Sequence, residues 1–381
     1  MRKDENMEAI KVAIIGVGLI GKQHIKNYLD INNVEIIAVC DLDRNEAKEV
    51  AQKFNIPHVY SDYKEMLKRD DIDAVDVCLH NNLHSAITIE AFQAGKHVYC
   101  EKPIAGTYFD GKAMVEAAKE YGKLLHIQLR SIFRSDTKAA KALINEGMLG
   151  NIYHARSTGF RRRGRPFVDG YGTPAFTRKE TAGGGALFDM GVYHIAQILY
   201  LLDLPQVDRI TGKLYQEMPM DRHRQEQSGF NVEELGLGFI RFHGGLTLDI
   251  IEAWSVHLNQ FDGPSIVGSS GGIRLPAYPG EFSKKDFSFH STIADIDFDS
   301  TPDLERMEIR RHSLNESEDA YDSPQDHWIA ALQNRVELLP TAAIALQTML
   351  ISEGIYLSNA LGREVSVDEV INQSKSTSIF R

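Results

Sequence analysis

Four side chains suited to proton transfer occur in two short motifs. Lys102 belongs to YCEKPIAG, and Asp189, Tyr193 and His194 belong to GGGALFDMGVYH. A lysine beside a substrate hydroxyl can hydrogen-bond to it or lower the pKa of a neighbouring group, and a nearby positive charge brings a tyrosine pKa toward neutrality. Taken singly, the lysine also fits a surface loop, and the Tyr–His pair fits a packed helix.

The spacing of the second motif separates Tyr193 from His194. Residues four apart share one helix face, whereas residues five apart diverge by roughly 140°. We expect an amphipathic helix after the glycine run, on which Asp189 and Tyr193 address one site. Tyr193 is therefore the candidate proton carrier, and His194 is the alternative.

A glycine pattern near the start of the chain predicts a binding site for the cofactor with which these side chains would act. KVAIIGVGLIGKQH, residues 11–24, places three glycines directly after an aliphatic run, which predicts a strand, a tight turn and a helix. Gly16 allows the turn, Gly18 lets the backbone approach a pyrophosphate, and Gly21 lets the helix pack close to the strand. The phosphates would then lie at the helix N-terminus.

The next predicted strand, VEIIAVC, ends on Asp41. An acid about 20 residues after the last glycine accepts hydrogen bonds from the adenosine ribose and repels a 2′-phosphate. Asp41 therefore favours NAD over NADP. Arg44 can pair with a 2′-phosphate, which leaves NADP open, but it also fits a solvated residue in the first turn of a helix.

Two further motifs follow predicted strands. Asn81 and His84 occur in CLHNNLHSA, and Glu101, Lys102 and Pro103 follow HVYC. Ligands of an open parallel sheet bind at the carboxyl ends of its strands, so we expect these side chains at the cofactor crevice. Pro103 would fix the lysine loop, and a cis bond is one way to do so.

An arginine-rich segment before the second motif allows two interpretations. Arginines can clamp an anionic substrate, such as a uronate or a sugar phosphate, with paired hydrogen bonds. A solvated loop or a subunit contact explains them as well. The residues are Arg156, Arg161, Arg162, Arg163 and Arg165.

Composition limits the class of protein. The 381 residues are 43% apolar, which is enough for two domains with sizeable cores. A net charge of −11 argues against nucleic acid or an anionic membrane as the main partner and favours a small substrate. The three cysteines form no metal-type spacing, so we predict no metal and a reducing compartment. Since no signal-type or membrane-length apolar run is present, we expect a cytoplasmic protein.

The order of elements predicts an α/β chain with two domains. Strands and helices alternate up to about residue 127, the pattern of a doubly wound parallel sheet. Later strand-like runs, including GLGFIRF and LTLDIIEAWSV joined by HGG, predict a large, mostly antiparallel sheet. We place the dinucleotide-binding domain at residues 8–127 and an α+β domain for substrate binding and oligomerisation at residues 128–381.

In this order and spacing, the motifs resemble those of the Gfo/Idh/MocA oxidoreductases over nearly the whole chain. The resemblance implies a Rossmann domain, a second domain whose open sheet forms a homodimer or homotetramer, and a tightly held nicotinamide cofactor. It also implies hydride transfer at a secondary alcohol of a sugar, cyclitol or related polyol. On this resemblance Lys102 lies by the nicotinamide and the reacting oxygen, Asp189 orients the substrate or the proton carrier, and Tyr193 occupies the proton-carrier position.

Two other functions remain open. One is a redox-neutral enzyme that recycles bound NAD in glycoside cleavage or sugar–sugar transhydrogenation. The other is a non-catalytic sensor of dinucleotide or sugar. Many relatives read TPN where this chain has Leu79, His80 and Asn81, so the chain departs from the family pattern on the nicotinamide side. The predicted cofactor-binding residues are Gly16, Gly18, Leu19, Ile20, Gly21, Asp41, Arg44, Leu79, Asn81, His84, Glu101 and Lys102.

Overall fold

The alternating strands and helices of the first third of the chain form a six-stranded parallel sheet in the computed structural model, which describes residues 8–276, 287–314 and 319–379. The strand order is β3-β2-β1-β4-β5-β6, so the direction of winding reverses between β1 and β4 and opens a crevice at their carboxyl ends. This confirms the predicted doubly wound sheet. Its strands are β1 (Ile10–Ile15), β2 (Val34–Cys40), β3 (His58–Tyr60), β4 (Ala74–Val77), β5 (His97–Cys100) and β6 (Leu125–Ile127).

Five helices connect these strands. Gly95 and Gly122 adopt positive φ just beyond the ends of two of them, as the sequence predicts. The first helix begins at Leu19, slightly earlier than the expected start near Gly21. The helices are α1 (Leu19–Leu29), α2 (Arg44–Phe54), α3 (Tyr63–Leu67), α4 (Asn81–Gln93) and α5 (Tyr108–Glu120).

The second sheet has nine strands in the order β14-β13-β12-β11-β7-β10-β9-β8-β15. Its pairs are antiparallel except for β7 with β10, and the predicted HGG hairpin joins β9 to β10. This confirms a mostly antiparallel second sheet. Its strands are β7 (Ile152–Phe160), β8 (Val207–Tyr215), β9 (Leu235–Phe242), β10 (Thr247–Ala253), β11 (Ser265–Gly268), β12 (Gly272–Arg274), β13 (Ser288–Ile293), β14 (Ile296–Ser300) and β15 (Val365–Ser366).

Some of the remaining helices pack against this sheet, and others return to the first one. Trp328 and Ile329 of α11 belong to the core that covers β1, and α12 contacts both β8 and β6, as predicted for helices that pack at the domain interface. The domain boundary at residue 127 itself stays a prediction. The helices are α6 (Ser135–Asn145), α7 (Lys179–Ala182), α8 (Val192–Leu201), α9 (Arg222–Ser228), α10 (Leu304–Leu314), α11 (Pro324–Leu332), α12 (Thr341–Leu361) and α13 (Val367–Gln373), with 3₁₀ turns at Arg130–Phe133 and Pro174–Thr177.

One local prediction differs from the structure. The segment after the glycine run is not a uniform α-helix, because a π-helical turn at Leu187–Gly191 precedes α8. Such turns occur often at functional sites. Asp189 lies within this turn, and Tyr193 lies in the first turn of α8. Across the described ranges, no helix has both the length and the apolar character needed to cross a bilayer.

Candidate active site

The glycine turn between β1 and α1 has the geometry of a phosphate cradle. Gly16 has φ +93°, and a Cβ on Gly21 would lie 2.0 Å from the Gly16 carbonyl oxygen, so side chains are excluded at both positions. A Cβ on Gly18 would meet nothing within 4 Å, and no side chain caps α1. The free N–H groups of the first helical turn therefore face open space, which suits the pyrophosphate of a dinucleotide.

Asp41 lies beside this turn at the end of β2. Its Oδ2 accepts a hydrogen bond from the Val17 backbone N–H at 2.9 Å, and its Oδ1 accepts one from Asp43 N–H at 2.9 Å. These bonds fix the carboxylate and leave lone pairs for ribose hydroxyls. Leu19 and Leu42 are 85% and 74% exposed, so the rim around the turn offers apolar surface. The residues present fit a dinucleotide.

The lysine loop and the π-helical turn meet at the carboxyl edge of the first sheet. Lys102 Nζ donates to the Asp189 carboxylate Oδ1 at 3.0 Å and to the Asp189 carbonyl oxygen at 3.0 Å. The same nitrogen lies 4.7 Å from the centre of the Tyr193 ring. The peptide before Pro103 is cis, as the sequence allowed. The structure therefore brings the two predicted motifs together, around a small cleft that Asn81, Phe176 and Phe188 also line.

The ion pair controls the protonation of both partners. Burial alone would lower the pKa of Lys102, but the negative charges of Asp189 and Glu101 outweigh it and raise that pKa. Burial alone would raise the pKa of Asp189, but Lys102 and Arg161 outweigh it and lower that pKa. At neutral pH, Lys102 is therefore an ammonium and Asp189 a carboxylate.

The prediction that Lys102 brings the pKa of Tyr193 toward neutrality is wrong for the protein alone. Lys102 does lower this pKa, but burial, together with the negative charges of Glu101 and Asp189, raises it above its ordinary value. Ser131 Oγ donates to the Tyr193 carbonyl at 2.7 Å and helps to fix the start of α8. Tyr193 is thus a neutral phenol beside a permanent cation.

His194 is directed to a different partner. Its Nδ1 lies 3.0 Å from Oε2 of Glu252, a fully buried carboxylate on β10. Tyr193 has the ring contact with Lys102, whereas the hydrogen bonds of His194 lead into the second sheet. The arrangement favours Tyr193 over His194 as the group at the site.

Several predicted cofactor residues hold loops in place. His84 is fully buried, with Nδ1 2.9 Å from the Pro103 carbonyl oxygen and Nε2 3.1 Å from that of Leu79. Asn81 Nδ2 donates to the Ala182 carbonyl at 2.7 Å and connects α4 to the second motif. Arg44 lies exposed at the start of α2. His84 therefore supports the lysine loop from inside the protein.

The Glu101 carboxylate faces the interior. Its Oε2 accepts from the Lys102 backbone N–H at 2.9 Å, and its Oε1 lies 3.0 Å from His24 Nε2. His24 Nδ1 lies 2.9 Å from Asp76 Oδ2 and 3.3 Å from Cys78 Sγ. Burial alone would lower the pKa of His24, but Asp76 and Cys78 raise it well above its ordinary value. His24, Asp76 and Glu101 thus form a sealed charged cluster behind the lysine loop.

Sequence reasoning missed two residues that support Asp189. Trp254, fully buried after β10, donates its indole N–H to Asp189 Oδ2 at 3.0 Å. Glu233 accepts from the backbone N–H groups of Gly185 and Leu187, each at 2.8 Å, at the entry to the π-helical turn. The only local signal for Trp254 was its place at the end of a predicted strand, and nothing in the sequence related it to Asp189.

The arginine-rich segment is divided among different environments. Arg165 is fully buried between Asp169 and Glu234, and Arg156 pairs with Asp249 on β10 at 2.7 Å. Arg165 therefore has a structural role, and the anion-clamp interpretation does not apply to it. The side chain of Arg163 is 69% exposed near Asp169, and Arg162 is exposed. Arg161 differs from these, since its Nη1 lies 3.6 Å from Asp189 Oδ2.

Comparisons with known proteins agree with this architecture. The model described as "Oxidoreductase family, NAD-binding Rossmann fold" matches residues 10–129, and "GFO/IDH/MocA C-terminal domain" matches residues 137–274. A D-glucoside 3-dehydrogenase of Escherichia coli (strain K12) is 32% identical over 287 residues, which is 73% of this chain and 80% of the relative. A D-apiose dehydrogenase of Paraburkholderia graminis is 26% identical over 368 residues, which is 95% of this chain and 90% of the relative.

A solved structure extends the comparison to the fold. A levoglucosan dehydrogenase in complex with NADH has a TM-score of 0.76 and 24% sequence identity, covering 94% of this chain and 99% of that one. The two family models match consecutive parts of the sequence, one carrying the glycine turn and the lysine loop, the other carrying the Asp189 motif. The chain therefore belongs to the Gfo/Idh/MocA family of oxidoreductases, with an NAD-binding Rossmann fold.

Proposed function

We propose that the protein is an NAD-dependent dehydrogenase that oxidises a secondary alcohol of a sugar, cyclitol or related polyol. The observation that carries this proposal is the contact of Lys102 with both Asp189 and the Tyr193 ring at the carboxyl edge of the parallel sheet. The similarity to a D-glucoside 3-dehydrogenase and a D-apiose dehydrogenase supports a carbohydrate substrate. NAD, when bound at the glycine turn, supplies the hydride acceptor.

The three side chains have different roles in this proposal. Tyr193 exchanges a proton with the substrate oxygen, because a phenol beside an ammonium can pass between its neutral and ionised forms. Lys102 stabilises negative charge on the phenol and on the substrate oxygen. Asp189 keeps a low pKa, so it holds Lys102 in place as a carboxylate and does not act as the base.

The resting protonation of Tyr193 favours one direction of proton transfer in the protein alone. Because burial raises the pKa of Tyr193, the phenol holds its proton at neutral pH and is ready to donate it to a substrate carbonyl. Oxidation of an alcohol requires the reverse transfer, which the charge of Lys102 assists. The position of Asp41, with its carboxylate fixed beside the glycine turn, supports NAD as the cofactor.

The test is reduction of NAD, followed by absorbance, during incubation of the purified protein with inositols, aldoses, uronates and glycosides. Net NADH formation with at least one polyol is the expected result. A parallel series with NADP tests the cofactor preference assigned to Asp41. Copurified cofactor with glycoside cleavage or sugar–sugar exchange, but no net NADH, would instead support a redox-neutral enzyme.

The variant Lys102→Met tests the assignment of the site. Loss of a preorganised cation next to the reacting oxygen should reduce turnover by about 10³-fold, while NAD affinity stays nearly unchanged because the glycine turn is intact. Lys112→Met, a change on the exposed face of α5, is the matched control and should keep full turnover. Undiminished turnover in Lys102→Met would remove this lysine from the chemistry.

A further inference from the structure

Arg161 reaches the site from the end of β7. Its backbone N–H donates to the Ala253 carbonyl at 2.8 Å, which fixes the start of the arginine-rich loop against the end of β10. Its Nη1 lies 3.6 Å from Asp189 Oδ2, on the opposite carboxylate oxygen from the one that Lys102 contacts. Two cations from two different sheets therefore share one carboxylate.

Tyr171 holds the Arg161 side chain in this position. Its ring centre lies 5.3 Å from the Arg161 guanidinium carbon, and its hydroxyl accepts a hydrogen bond from Arg161 Nη1. The same hydroxyl donates to the Gly164 carbonyl, within the loop that Arg161 begins. Stacking on an aromatic ring orients a guanidinium and reduces the freedom that it loses on binding a ligand.

The hydrogen bonds of Arg161 leave one edge of the guanidinium unused. The hydrogen bonds of the side chain involve Nη1 alone, with the Tyr171 hydroxyl and the Gly164 carbonyl as acceptors. Within residues 8–276, 287–314 and 319–379, no acceptor is bonded to its Nε or Nη2, and the side chain is 38% exposed. Nε and Nη2 carry parallel N–H groups, which match the two oxygens of a carboxylate.

The nearby carboxylates have partners other than this edge of Arg161. Lys102 and Arg161 both lie at Asp189, whereas the two other nearby carboxylates already have partners, Glu101 with His24 and Glu252 with His194. Lys102 contacts Asp189 Oδ1 and Arg161 Nη1 lies beside Asp189 Oδ2, so Asp189 does not occupy the Nε and Nη2 edge of Arg161. A carboxylate on the substrate would bind the open edge of Arg161 with two parallel hydrogen bonds.

We propose that Arg161 is a specificity-determining residue that binds a carboxylate of the substrate, so that the preferred substrate is a sugar acid. This inference rests on the proposed function and specifies its substrate class. A uronate presents both groups that the site requires, a secondary alcohol for oxidation and a carboxylate on the same ring. Tyr171 acts through Arg161 and is a positioning residue.

The experiment compares each sugar with its acid, glucose with glucuronate and galactose with galacturonate, using kcat/KM with saturating NAD. The wild-type protein should prefer the acid. Arg161→Gln should lower the acid-to-neutral ratio by about 100-fold, because a charge-assisted pair is lost from a partly buried site. Arg161→Lys, which keeps the charge without the paired donors, should give an intermediate ratio.

Arg163→Gln is the matched control, since Arg163 lies two residues away with an exposed side chain and should leave the ratio unchanged. A wild-type preference for neutral sugars, or an equal loss on both members of each pair in Arg161→Gln, would overturn the proposal. A preference for sugar phosphates over sugar acids would overturn the assignment of a carboxylate.

A binding measurement separates this inference from the proposed function. Calorimetric titration of the NAD-saturated protein with glucuronate and with glucose needs no turnover. Tighter binding of glucuronate that Arg161→Gln abolishes would support the carboxylate site even if no sugar is oxidised, and only the proposed function would then fail. Equal binding of both sugars to the wild-type protein would overturn the carboxylate site.

Discussion

Two charged clusters flank the Glu101–Lys102 peptide, and they differ in access to solvent. In the sealed cluster, the His24 side chain is 2% exposed and lies between Asp76 and Glu101. At the site, the side chains of Lys102 and Asp189 are 13% and 19% exposed. Each cluster places a cation about 3 Å from a carboxylate, the usual distance of a charge-assisted hydrogen bond. Access to solvent, more than the type of ion pair, distinguishes the buried His24–Asp76 pair from the pair for which we propose a catalytic role.

The comparison predicts that the sealed cluster controls stability. His24→Leu leaves two buried carboxylates without their cation, which should lower the free energy of unfolding by about 3–5 kcal/mol. Denaturant unfolding followed by circular dichroism measures this loss. Gln23→Leu, which also introduces a leucine but at the exposed neighbouring position of α1, is the control. Equal stability of the two variants would contradict a structural role for the sealed cluster.

The sign of the pH dependence sharpens this prediction. Because the folded-state pKa of His24 lies above the ordinary value of 6.5, its stabilisation is complete below the pKa of an unfolded histidine. The stabilisation is lost as the pH rises through the folded-state pKa. The difference between wild type and His24→Leu should therefore be largest near pH 6 and should shrink in alkaline solution. A difference that grows with pH would contradict an imidazolium at this position.

Substitutions at the site are expected to change turnover more than they change stability. Tyr193→Phe removes the proposed proton carrier and should lower kcat by about 10²-fold, with little effect on unfolding, since the ring is kept. His194→Asn should reduce kcat less, because the hydrogen bonds of His194 lead to Glu252. The kcat values of the two variants and of the wild type are measured with a substrate identified by NADH formation. A larger loss in His194→Asn would reverse the assignment of the two residues.

The smallest effect is expected for Trp254→Phe, which removes one hydrogen bond to Asp189. Turnover should fall by about tenfold, and the acidic limb of the kcat profile should move to higher pH, because the lost donor had stabilised the Asp189 carboxylate. Trp328→Phe is the control, since the Trp328 indole N–H has no hydrogen-bond partner in the part of the chain that the structure describes. An unshifted profile in Trp254→Phe would limit Trp254 to packing.

The structural features that the sequence predicted are those specified by short motifs of neighbouring residues. The spacing of Gly16, Gly18 and Gly21 predicted the turn of the first sheet, and the glycines of HGG predicted the hairpin between β9 and β10. Each signal lies within a few residues of the structure that it specifies. Backbone conformation at such positions depends on the residues themselves, so one sequence is enough to predict it.

The parts that could not be predicted depend on distant contacts. Trp254 and Asp189 are 65 residues apart, and His24 and Asp76 are 52 residues apart. Their contacts follow from the packing of whole elements, which the spacing of residues in one sequence does not reveal. The raised pKa of Tyr193 was missed for the same reason, since burial, a property of the folded protein, exceeded the effect of the predicted lysine neighbour.

The contact of Trp254 with Asp189 gives the protein an intrinsic optical probe. The sequence contains two tryptophans, so Trp328→Phe leaves Trp254 as the single source of indole fluorescence. Indole emission responds to nearby charge, and Asp189 is the carboxylate that Lys102 and Arg161 contact. In the Trp328→Phe variant, binding of a ligand in the cleft should change the fluorescence emission of Trp254. This change is measured without a label and without enzymatic turnover.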